Sequence, residues 1–192
     1  MRAKLLFREV LPSLVIFTTL VGSALVADAL LHAVNAVWLG RYLGIPGTLL
    51  ILASLVYSLR KRKVIERGNP VQLLRFHELV AWMGSMLILV HAGIHFNAFL
   101  AWFALLAMLI NVASGLTGKF LLRRAARRLN DARQKLQLAG LSRDQIEQKL
   151  HWDTLTFDAV KQWRRIHFPI AFAFGALAIA HISAIFLFWS WW

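Results

Sequence analysis

The sequence predicts an all-α fold: an integral membrane bundle of five transmembrane helices, with a cytoplasmic amphipathic helical hairpin inserted between the fourth and the fifth. Three observations lead there. Apolar runs of bilayer-spanning length, about 20 residues, recur five times; nearly all basic residues fall in the segments on one side of those runs; and one connecting segment carries apolar residues at amphipathic helical spacing.

The first run covers residues 10–33 and follows the basic start MRAKLLFREV. It resembles a signal peptide, with small residues near Ala27, but its apolar stretch is longer than a usual signal core, so it is read as a retained first helix. Asp28 and His32 fall near its outer end, and a pairing of Asp28 with Arg41 across the first turn is expected. The second run, 42–59, has Pro46 in its first turn, where a missing N–H does little harm. Gly40, Gly44 and Gly47 predict a loop-like entry and a short span. The third and fourth runs are 73–96 and 99–121, and the fifth, 167–191, ends in the Trp-rich FLFWSWW suited to an interface.

The segment 119–162 is the expected hairpin. Leu122, Ala125, Leu129, Ala132 and Leu136 recur at helical spacing, Ala139-Gly140 breaks the run, and Ser142 with Gln145 fits a capping box for a second short helix. Its basic residues suit either an anionic lipid surface or a docking partner.

With five spans, all 22 Lys and Arg except Arg41 lie on the side of the N-terminus, the 60–75 loop and the 119–165 segment. Positive-inside reasoning makes that side cytoplasmic, with a periplasmic C-terminus, in a bacterial-type inner membrane. A net charge of +13 could suggest nucleic acid, but the charges flank apolar spans rather than forming a soluble basic face, so nucleic-acid binding is set aside. There is no cysteine, which excludes disulfides, thiolate-held iron–sulfur clusters and covalent haem attachment within this chain. Any redox centre here needs histidine, methionine or carboxylate ligands.

The informative pattern is a repeat. Arg75-Phe76-His77 is followed by His91, and Arg165-Ile166-His167 by His181, so the third and fifth spans both read Arg-x-His-x13-His. Fourteen helical residues advance about 21 Å and come within roughly 40° of whole turns, which puts both imidazoles of each pair on one helix face. Odd-numbered spans run the same way, so His77 and His167 are expected at an inner level and His91 and His181 at an outer one. Two levels with two imidazoles each are what two six-coordinate haems require, and neutral imidazole, favoured in a low-dielectric interior, is the form that ligates iron. Gly84, midway along the first pair, and Gly175, near the middle of the second, leave space for a porphyrin; Arg75, Arg164 and Arg165 sit where inner propionates would emerge.

The duplicated His-x13-His resembles the haem-ligand pattern of the b-type cytochrome of respiratory bc complexes. Trp163-Arg164-Arg165-Ile166-His167 is similar to the start of the haem-binding helix in ferric-reductase-like transmembrane proteins. The resemblance covers roughly residues 73–190 and implies two noncovalent b haems with bis-histidine ligation, His77, His91, His167 and His181 being the metal ligands. The chain then forms a single transmembrane haem-binding domain.

Four side chains stay open. His95 lies one turn beyond His91 and has no counterpart, since position 185 is Ile; it could replace His91, bind a propionate, serve a quinone or be a plain interfacial residue. Glu78 is a proton carrier or a mate for Arg75, His32 is ambiguous, and His151 is expected to be solvated.

The resulting expectation is an electron-transfer subunit of a membrane oxidoreductase, in contact with lipid, passing electrons between a quinone and redox partner subunits that carry flavin, iron–sulfur or c-type haem centres. Alternatives are a stand-alone, ferric-reductase-like membrane reductase, or a non-haem metal or proton transporter or assembly factor, which would be expected to show more intramembrane acids than Asp28 and Glu78.

Overall fold

The structure is a computed structural model describing residues 2–94 and 99–188. Within them the chain is helical, with no strand among the described residues: α1 (Arg2–Ala33), α2 (Val37–Tyr42), α3 (Gly44–Lys61), α4 (Pro70–Ile94), α5 (Phe99–Thr117), a π-helical turn (Gly118–Leu122), α6 (Arg123–Leu138), α7 (Arg143–Lys149) and α8 (His151–Phe188). Five helical stretches are long and apolar enough to cross a membrane: Val10–Ala33, Val37–Lys61, Pro70–Gly93, the apolar part of Phe99–Leu138, and Arg165–Phe188. Large apolar side chains stand exposed along them, among them Leu25, Leu52, Phe103, Phe172 and Ile179. So much contiguous apolar surface is untenable in water and natural against lipid. The molecule is a multi-pass, all-helical membrane protein.

Helix ends follow local chemistry. α1, α3 and α6 each stop in a Schellman turn whose left-handed residue is Asn35 (φ 55°), Lys63 (φ 61°) and Gly140 (φ 76°) respectively. The closing bonds run from Ala36 N to Leu31 O, Val64 N to Leu59 O and Leu141 N to Leu136 O. α4 starts with Asn69, whose Oδ1 accepts from Val71 N at 2.9 Å, and Pro70, which has no N–H to leave unpaired.

The chain divides into two compact units, Met1–Phe17 with Leu106–Trp192, and Thr18–Leu105. In the second, α2 and α3 pack along α4. The glycines expected to loosen the entry of the second span do not do so: the entry is helical, as α2, and those glycines are contact points. A Cβ on Gly84 would lie 2.9 Å from the Gly47 carbonyl oxygen, and one on Gly44 would meet the His91 ring at 3.0 Å. Backbones approach this closely only where side chains are absent.

In the first unit the hairpin is present, but it is less separate than expected. α6 continues α5 through the π turn, and α8 begins at His151, fourteen residues before its apolar portion at Arg165. The capping box forms as expected, Ser142 Oγ accepting from Gln145 N while Gln145 Oε1 accepts from Ser142 N. Leu129, Ile146 and Leu150 are buried together, with Ala132, Leu136, Leu141 and Phe157 packed around them. The apolar stripe of α6 thus faces its own small core rather than lipid, because α7 and the start of α8 fold back over it. His151 is exposed, as expected, beside Trp152.

Candidate functional site

The two histidines of α4 share one face, and that face carries a register. Reading up α4, His77, Gly84 and His91 recur every seven residues; down the α2–α3 strand of helix, Ser54, Gly47 and Gly40 recur at the same interval opposite them. His77 Nδ1 lies 3.0 Å from the Ser54 carbonyl oxygen, Gly84 lies against Gly47, and His91 Nδ1 lies 3.3 Å from the Gly40 carbonyl oxygen. An interval of seven is nearly two helical turns, so antiparallel helices keep such positions facing each other over their whole contact.

This register corrects one expectation. Gly84 does not leave room beside α4 on this face: α3 fills that room, with Gly47, Leu50 and Ile51 all within 3.1 Å of where a Cβ would stand. At Gly175 of α8 the opposite holds, and a Cβ there would meet nothing within 4 Å.

His167 is held in the first unit by α5. Its Nδ1 lies 2.6 Å from Ser114 Oγ, and Ser114 Oγ also lies 2.8 Å from the Asn111 carbonyl oxygen. A hydroxyl has one proton. With that proton on Asn111 O, the Ser114 oxygen accepts from His167 in the ring's Nδ1–H tautomer. Gly115 sits beside the same ring, at 3.6 Å from its added Cβ to Cε1.

The carbonyls of Ser54 and Gly40 can only accept, so His77 and His91 donate through Nδ1, and the Ser114 hydroxyl is able to accept from His167 in the same tautomer. In the neutral ring the lone pair is then on Nε2, which points away from the acceptor. Iron-ligating histidines in proteins commonly have this arrangement: the non-ligating N–H is tied to a carbonyl or another acceptor, which fixes tautomer and ring plane. Imidazole nitrogens of this kind could hold a haem iron, which would supply one-electron exchange. Among the described residues no three His or carboxylate side chains come together, so a metal held by protein ligands alone has no ready-made cage there. His181 lies in α8, partly buried.

Of the remaining candidates, Arg75 is exposed, and Arg165 is exposed with its guanidinium donating to Gln162 Oε1 at 3.2 Å. His95 and the side chain of Arg164 lie outside the described residues. Glu78 is partly buried next to His77. The expected pairing of Asp28 with Arg41 does not form. Asp28 instead lies 3.6 Å from His32 Nδ1, which is itself 2.9 Å from the Asp28 carbonyl oxygen, and its carboxylate presses on Gly93 of α4. A residue one helical turn away on the same helix is an easier partner than one across a turn.

Sequence reasoning missed the acceptors, Ser54, Gly40 and Ser114. The first two had a signal, a small residue every seven positions in the second span matching the half-interval of the histidine repeat. Ser114 had none, because a serine that bonds its own helix backbone looks like any other serine in an apolar span. No protein-family model, no curated protein and no solved structure matches the chain.

Proposed function

We propose that the chain is a diheme b-type cytochrome, a membrane electron-transfer subunit in which His77 with His167, and His91 with His181, hold two noncovalent haems. The observation that carries this reading is that three of the four imidazoles hold Nδ1 against an oxygen able to accept, at 3.0 Å from the Ser54 carbonyl, 3.3 Å from the Gly40 carbonyl and 2.6 Å from the Ser114 hydroxyl. A buried N–H without an acceptor costs about 1–3 kcal/mol; these acceptors remove that cost while setting Nε2 as the donor nitrogen. The repeat Arg-x-His-x13-His supplies equal spacing on two spans, and the pairing of levels follows from the alternation of spans along the chain.

When bound, haem supplies one-electron exchange at iron. The residues of this chain do the rest. The imidazoles bind and orient, the apolar spans exclude water, and Arg75, Arg164 and Arg165 stand at the end where propionate charge would need compensation. Without a cysteine or a nucleotide-binding motif, the electrons come from or go to another carrier: a quinone in the membrane, or a partner subunit bearing flavin, iron–sulfur or c-type haem. The charge asymmetry favours the inner membrane with the N-terminus and hairpin in the cytoplasm.

One observation favours a different class. Asp28 Oδ1 is buried inside a span with no hydrogen-bond partner, and an intramembrane carboxylate of that kind suits proton transfer. A reduced-minus-oxidised visible spectrum of the purified chain separates the two. Two low-spin b haems per chain, extractable without covalent linkage, are expected. A haem-to-protein ratio near zero would move the argument to Asp28 and a transport function, and a covalently retained haem would also overturn the reading.

A further inference from the structure

Ser114 is 1% exposed, and it differs in kind from the acceptors on α4's side of the molecule. His77 and His91 donate to backbone carbonyls, which any residue at positions 54 and 40 would provide. His167 Nδ1 instead faces a side-chain hydroxyl, to which it donates when Nε2 is the ligating atom, as the diheme reading requires, so this contact depends on one residue type. The contact is short, 2.6 Å, and the hydroxyl donates onward to the Asn111 carbonyl oxygen. A hydroxyl that donates becomes a better acceptor, because each bond in such a chain polarises the next.

We propose that Ser114 is a positioning residue for His167, fixing its tautomer and ring plane and enriching its Nε2 so that the haem it ligates is held more tightly and at a lower potential. This rests on the diheme reading. An imidazole whose N–H is drawn toward an acceptor gives more electron density to the metal, which favours the oxidised iron over the reduced. Taking the acceptor away has two separable consequences. The ring loses its fixed orientation, and haem retention falls by about 10–100-fold, the usual cost of losing such a partner. The ring also becomes a poorer donor, and the potential rises. A serine serving only to join α5 to α8 would give neither effect on a haem that stays bound.

The test uses the full chain in detergent, as wild type, Ser114→Ala, Ser114→Cys and Ser114→Thr. Haem-to-protein ratio, the dilution dependence of haem loss and a redox titration are read for each. Cysteine nearly keeps serine's size but is a weak acceptor, and threonine keeps the hydroxyl. We expect the alanine and cysteine variants to lose one haem more readily and to show one of two midpoint potentials displaced upward, with threonine restoring both. Two haems with unchanged potentials and retention in the alanine and cysteine variants would overturn the role of Ser114 and leave the diheme reading standing. Equal displacement of both haems would also overturn it, since that reports a general loosening of the fold. A wild-type chain without haem would overturn both together.

Discussion

Gly47 and Gly84 face each other backbone to backbone: a Cβ on Gly47 would stand 3.1 Å from the Gly84 carbonyl oxygen, and one on Gly84 would stand 2.9 Å from the Gly47 carbonyl oxygen. This contact sits at the middle of the seven-residue register, with the Ser54–His77 and Gly40–His91 contacts one interval to either side. It sets the distance between α3 and α4, and so decides whether both imidazoles of α4 reach their carbonyls.

Gly84→Ala should therefore act through packing. A methyl group cannot push a backbone carbonyl aside cheaply, and overpacking of this kind costs about 1–3 kcal/mol. The thermal midpoint in detergent should fall. Gly175→Ala should leave it unchanged or raise it slightly, since alanine gains up to about 1 kcal/mol over glycine in a helix and meets nothing at that position. Under the haem reading Gly175→Leu should lower haem content without lowering the amount of folded protein, as assayed by size-exclusion chromatography and haem absorbance.

Under the haem reading the histidine variants should sort by level. His77→Ala and His167→Ala should each disturb one haem, His91→Ala and His181→Ala the other, while His95→Ala retains both. Redox titration and haem content check this. A common effect of His77 and His181 on one centre would contradict parallel third and fifth spans, and loss of a haem in the His95 variant alone would move the outer ligand by one helical turn.

Orientation is open to a reporter assay. A reporter after Trp192 should be active outside the cytoplasm and one inserted near Gly140 inside it. The opposite labelling would exchange the inner and outer levels.

The hairpin should be separable from the spans. Leu129→Ala removes a side chain that is 5% exposed from a core of three buried residues, a change of about 2–5 kcal/mol in a well-packed site. Ser142→Ala removes the cap of α7 at about 1 kcal/mol. Both should speed proteolysis between 123 and 150, and neither should change haem content.

The sequence by itself determined the spans, because twenty apolar residues in a row have one comfortable solvent, and it determined the turn between the hairpin's two arms, because Gly140 and the Ser142–Gln145 box act over a few residues. It also exposed the histidine repeat, since equal spacing on two helices is a property of the chain alone. Only the tertiary structure decided what lies opposite each histidine. That Gly84 packs against α3, that the Asp28 carboxylate lies against Gly93, that α6 closes its stripe on α7 and α8, and that Ser114 Oγ lies 2.6 Å from Nδ1 of His167 all depend on contacts between residues apart in sequence. A local pattern can place a side chain on a face. It cannot say which neighbour fills that face, because the neighbour is chosen by close packing across the whole unit.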